Sequence, residues 1–112
     1  MQNSGFTESD WKLFRKRLPI WQERYMETLI EEYIGLLESG EPASSKFWNL
    51  EKRLKNDKRK TGVLAEGVSR SNMELLIMDL INEGAISAED FDGFSEDFRD
   101  QLLFYSERVN RD

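Results

Sequence analysis

From Trp11 onward apolar residues return every three or four positions: Trp11, Phe14, Leu18, Trp21, Tyr25, Leu29, Tyr33 and Leu36. That spacing matches the turn of an α-helix and holds its phase without a jump. Thr7, with Asp10 three residues on, supplies the start signal: a hydroxyl for an orphan amide and a carboxylate at the positive end of the helix dipole. The stripe crosses Pro19, where a helix loses one hydrogen bond and its ring meets the preceding turn. Because the phase survives and Leu18 is a poor cap, the pattern predicts one long helix over about residues 8–39, bent at Pro19, rather than two. Met26, Ile30, Ile34 and Leu37 form a second stripe, which predicts that the later half lies deep in a bundle, with Gly40 and Pro42 ending it.

The segment SKFWNLEKRLKNDK, with Ser44 and Ser45 as caps, predicts a surface helix. Phe47, Leu50 and Leu54 share one face of it, and Trp48 stands to the side. Arg59 to Ser69 carries Gly62 and Gly67 and reads as a connector anchored by Val63, Leu64 and Val68. Ser71 to Glu74 has the form of a capping box and opens a helix whose core face is Met73, Leu76, Ile77 and Leu80, with Leu75 and Met78 pointing the other way. Gly84 stops it. Ser87 with Asp90 opens a short turn, and Ser95 caps a last helix with the stripe Phe91, Phe94, Phe98, Leu102, Tyr105 and Val109. No sustained alternation predicts a strand. The expected fold is all-α: a compact bundle of about four to five helices in one domain, residues 1–112, with 1–5 and 110–112 frayed.

Composition narrows the chemistry. The chain has no histidine and no cysteine. Those absences remove the usual neutral-pH base, the commonest metal ligand, disulfides and thiol nucleophiles, and they fit a reducing, cytoplasmic setting. No run resembles a signal peptide or a membrane span, so no membrane partner is expected. A net charge of −6 argues against bulk attraction to nucleic acid, although a local basic patch can oppose the mean.

Such a patch exists. Lys52, Arg53, Lys55, Lys58, Arg59 and Lys60 crowd the end of the second helix, where the dipole alone favours cations. The acidic stretch from Glu83 to Asp100 could neutralise them internally or across a dimer. Nucleic-acid phosphate is the competing ligand. A second nucleic-acid signal is LAEGVSRSNMELL, residues 64–76, which resembles the turn of a helix-turn-helix reader. Only Glu66 separates Ala65 from Gly67, which leaves little room for a first helix, and the following helix is too apolar to lie in a DNA groove.

Catalytic and metal signals are weak. The glycine spacing after Asp90 does not suit a calcium loop, and Glu23, Glu27 and Glu31 form an i, i+4 stripe that reads as a solvated face. A metal-dependent carboxylate enzyme would need a distinctive pair of acids, and no spacing singles one out. No catalytic residue, metal ligand or cofactor is therefore expected.

What remains are apolar residues off the core stripes: Leu103 and Phe104 on the last helix and Trp48 on the basic one. Either neighbouring elements cover them, or they form a partner patch with another protein or a second copy. The strings DWKLFRKRLPIWQERYM, KFWNLEKR, RSNMELLI and GFSEDF, spread over most of the chain, give it a resemblance to a family of short uncharacterised bacterial proteins. That resemblance implies a small helical bacterial fold and lends no functional residues. The expected function is non-enzymatic protein binding, as a regulator or inhibitor occupying a surface of a larger machine. Mobile-element inhibitors of host defence are an analogy of type.

Overall fold

The computed structural model describes residues 5–109, and the rest of the expected fraying lies outside them. They form four α-helices, α1 (Glu8–Leu37), α2 (Ala43–Asp57), α3 (Met73–Asn82) and α4 (Glu96–Val109), with 3₁₀ turns at Arg70–Asn72 and Ala88–Phe91 and no strand among the described residues. The chain is all-α, and α1 runs unbroken through Pro19. Pro19 and Arg15 both stand on the exposed side, so the Arg15 carbonyl that loses its amide partner can turn to water.

The start of α1 is a closed capping box. Thr7 Oγ1 accepts from the Asp10 amide at 3.1 Å, and Asp10 Oδ2 accepts from the Thr7 amide at 2.9 Å. Asp10 also accepts from the Ser95 amide at 2.7 Å and from the Ser95 hydroxyl at 2.6 Å. Ser95 thus spends its hydroxyl on α1, while its carbonyl accepts from the Arg99 amide. One carboxylate, 1% exposed, ties the first turn of α1 to the first turn of α4.

A single apolar core fills the angle between α1, α3 and α4. Trp11, Phe14, Leu18, Trp21, Tyr25 and Leu29 enter it from α1, and Met73, Leu76, Ile77 and Leu80 from α3. Phe98 takes Phe94 edge-on at 5.3 Å and Phe6 at 5.9 Å. These are the stripes that the spacing predicts. Gly84, at φ +79, closes α3 with paired bonds from the Gly84 amide to Ile81 and from the Ala85 amide to Leu80, a left-handed turn that suits glycine. The Ser87–Asp90 box also forms.

Other local expectations fail for identifiable reasons. Ser44 and Ser45 do not cap α2, which begins at Ala43 behind Pro42 with no side-chain cap. The Ser71–Glu74 box is absent: Asn72 precedes α3 and donates its side-chain amide to the Gly67 carbonyl at 2.8 Å, while the hydroxyl of Ser71 meets that of Ser69. Of the predicted anchors Val63 packs against the core, whereas Leu64 and Val68 are exposed, and backbone bonds hold the rest of the connector. Glu83 accepts from the amides of Thr61 and Gly62 at 2.8 and 2.9 Å, and Gln22 donates to the Thr61 carbonyl at 2.9 Å. Gly62 lies so close to the Tyr25 ring that a Cβ there would stand under 3.0 Å from three ring carbons.

The largest departure concerns the far half of α1. It does not sit deep in the bundle: Ile30, Ile34 and Leu37 are 53%, 48% and 44% exposed. The last fully buried residue of α1 is Leu29; beyond it half-buried Tyr33 still packs against the core, while Ile30, Ile34 and Leu37 face solvent. The radius of gyration, 16.5 Å, exceeds the ~13 Å of a compact domain of this length, and the extents of 56 × 28 × 20 Å show the same projection.

Candidate functional site

The projection is a two-helix arm made of residues 30–57, and its fastening is polar. α2 contributes no buried apolar residue; its single buried side chain is Asp57. Asp57 Oδ2 accepts from the Tyr33 hydroxyl at 2.6 Å, and its carboxylate pairs with Arg53 and Lys60, each at 3.5 Å. Arg53 also reaches Glu32 at 2.6 Å and lies over the Tyr33 ring at 5.3 Å. Burial pushes the Asp57 carboxyl up, but the Tyr33 hydroxyl and the two cations outweigh it and hold the group below the ordinary carboxylate range. Burial and the bond to Asp57 push the Tyr33 phenol up to about 12.

These contacts fix how each helix is turned. The five residues between Leu37 and Ala43 turn α2 back antiparallel to α1, and with Arg53 against Glu32 and Asp57 against Tyr33 the arm acquires two unlike flanks. At about 100° per residue, Ile30, Ile34 and Leu37 fall within about 60° of arc on α1, and Phe47 and Leu54 within about 20° on α2. Both arcs lie on the same side. Phe47 is 64% and Leu54 42% exposed, so the face predicted to hold α2 in place points to solvent, and Leu50, half-buried, is what remains of it. The opposite flank is a groove of about 600 Å³ lined by Leu36, Asn49, Lys52, Arg53, Lys55, Asn56 and Arg59.

The predicted partner residues do not form one patch. Trp48 is 63% exposed and packs edge-on against Phe47 at 5.0 Å, on the arm. Phe104 is equally exposed but lies on α4, whose first turn is fastened to the opposite end of α1. Leu103 is half-buried against the core. A Phe104→Ser variant is therefore expected to move stability within about 0.5 kcal/mol, whereas Leu103→Ser should cost about 1–2 kcal/mol; thermal melts of the two separate the roles.

The basic stretch divides in the same way. Arg53 and Lys60 are committed to Asp57, and Lys55 stands 4.0 Å from Glu51. Lys52, Lys58 and Arg59 make no ion pair among the described residues. The acidic stretch does not neutralise them: Glu83 caps the connector, and Asp90 holds Arg24 at 2.8 Å. Residues 64–76 are not a helix-turn-helix, because no α-helix occupies the segment between Asp57 and Met73, and α3 buries Met73, Leu76 and Ile77. Among the described residues no three acidic groups gather as a metal site, and no helix is long and apolar enough to cross a membrane.

Sequence reasoning missed Ile30, Ile34, Leu37, Phe47 and Leu54 as surface residues, and Asp57 as the clasp. The one available signal was the thin apolar content of α2, too little to hold a helix down by burial. No protein family, curated protein or solved structure matches the chain.

Proposed function

We propose that the protein is a non-catalytic protein-binding module whose working surface is the apolar flank of the arm, and that it regulates or inhibits a larger machine by occupying a surface on it. One observation supports this reading: five large apolar side chains, Ile30, Ile34, Leu37, Phe47 and Leu54, stay 42–64% exposed on one side of a projection that has no apolar core of its own. Contiguous apolar surface of that kind costs solubility unless something covers it. The lack of cysteine fits a cytoplasmic setting for the encounter.

The test is paired capture from the source cell with the native chain, an Ile34→Glu variant and a Glu107→Lys control on α4. A protein retained by native and control chains and lost with Ile34→Glu is the expected result. Equal retention by all three would remove the arm as the binding surface. A second reading, a nucleic-acid ligand on the basic flank, is favoured by the groove at Lys52 and Arg59 and their lack of acidic partners. In that case affinity should fall steeply with salt, and replacing Lys52, Lys58 and Arg59 with Ser should flatten the slope.

A further inference from the structure

We propose that the apolar flank of the arm is the pairing face of a homodimer, in which α1 of one copy lies antiparallel over α2 of the second and the two arms close a four-helix bundle. The proposal rests on the protein-binding reading and names the partner for that face.

The charges bordering the flank carry the argument. Around α1, the edge beyond Ile34 carries Glu27 and Glu31; around α2, the edge beyond Phe47 carries Lys55 and Lys58, with Glu51 between them 4.0 Å from Lys55. The face is thus apolar in the middle, acidic along the α1 rim and basic in net along the α2 rim, where Lys58 makes no ion pair among the described residues. Two copies stacked face to face can be related by a two-fold axis lying across the helices or along them. An axis across the helices sets α1 over α1, so acidic rim meets acidic rim and basic meets basic. An axis along the helices sets α1 over the partner's α2, and every rim then meets its opposite.

The heights agree as well. Arg53 reaches Glu32, and in antiparallel helices of equal rise that level sets Glu27 beside Lys58 and Glu31 within a residue of Lys55. Opposed rims of this sort select one register and one partner and exclude the like-charged alternative. Five half-exposed apolar side chains offer roughly 500 Å² per copy, and the stems of the rim lysines and glutamates bring the face to about the 800 Å² per partner of a stable interface.

Sedimentation equilibrium of the full chain, from micromolar to submillimolar concentration, tests the proposal. The expected species has twice the 13.2 kDa mass of the chain. Ile34→Glu, and independently Phe47→Glu, should raise the dissociation constant about 100-fold or more with unchanged circular dichroism. Glu27→Lys and Lys58→Glu should each weaken pairing about fivefold, and the two together should restore it. A chain that is monomeric throughout overturns the second copy as occupant and leaves the capture experiment to decide the broader reading. A dimer that survives both apolar variants overturns the face, and charge variants without mutual rescue overturn the orientation.

Discussion

Replacing Asp10 with Ala should destabilise the protein by about 3–5 kcal/mol, because the change leaves part-buried donors without their acceptor. The Thr7 amide, the Ser95 amide and the Ser95 hydroxyl all converge on this carboxylate. Any of the three left unpaired in a dry site costs about 1–3 kcal/mol, and the loss also opens the first turn of α1. Against a total stability of about 5–15 kcal/mol for a domain of this size, the drop is large, and a shift of the melting temperature by more than 10 °C is the observation to look for. Asp10→Asn keeps an acceptor and should cost less. Burial pushes the Asp10 carboxyl up, but the bonds from Ser95 and Thr7 win and hold it below the ordinary range. A depressed folded pKa means the contribution is present above the unfolded value, about 3.9, and is lost as pH falls through the folded one. Melting curves between neutral and strongly acid pH should therefore fall steeply for the native chain and flatten for Asp10→Asn.

Asp57→Ala should release the arm while sparing the body. The change removes the acceptor of the Tyr33 phenol, a charge-assisted bond of about 1.5–3 kcal/mol that crosses between the helices; the pairs of Asp57 with Arg53 and Lys60 are local to α2 and its end and add about 0.3–0.5 kcal/mol each. Since α2 buries no apolar residue, what then holds it is Arg53, on Glu32 and over the Tyr33 ring, both exposed to solvent on one side. Hydrogen exchange across Ala43–Asp57 should accelerate by at least tenfold, a loss of about 1.4 kcal/mol or more of local stability, with the amides of α3 unchanged. Uniform acceleration through both helices would mean that the arm and the body unfold as one unit.

The same clasp has a window in pH. Asp57, depressed, supports it above its unfolded pKa of about 3.9 and lets go as pH falls through the folded value. Tyr33, raised to about 12, supports it fully below the unfolded value of about 10 and lets go as pH climbs toward 12. Protection of α2 amides, taken relative to the intrinsic exchange rate at each pH, should therefore fall at both extremes.

What was legible in the chain was local or periodic. Thr7 with Asp10, the core stripe from Trp11 to Leu29, Phe91, Phe94 and Phe98 leading into α4, Gly84 and the Ser87 box can all be read from neighbours within a turn or two, because the groups that satisfy them are close in sequence. Ile34 is different. Its place in a helical stripe is the same whether a third helix covers it or water does, and that depends on where α3 and α4 pack, a matter settled by Asp10, Glu83 and the aromatic core far away in sequence. Asp57 was hidden for another reason: inside a basic run a single acid reads as charge balance, and its burial comes from Tyr33, 24 positions earlier. The Ser71–Glu74 signature failed because Asn72 was captured by the Gly67 carbonyl. Trp48 and Phe104, the aromatic side chains that break the pattern, are exposed but lie apart, whereas the continuous apolar face is built from residues that obey it.

α1 passes from body to arm without a joint, which makes the arm a cantilever with a defined azimuth. Leu37 stands about 12 Å beyond Leu29 along the same helix. Each residue added between them would advance the tip by about 1.5 Å and swing its apolar side by about 100°, whereas a loop of equal length would let it swivel freely. Torque applied at the tip is felt at Trp21 and Tyr25, and the connector pinned by Glu83 acts as a stay against twisting. Whatever the arm grips is therefore held at a set bearing to α3 and α4, and a full helical turn inserted after Leu29 should preserve that bearing where a half turn should reverse it.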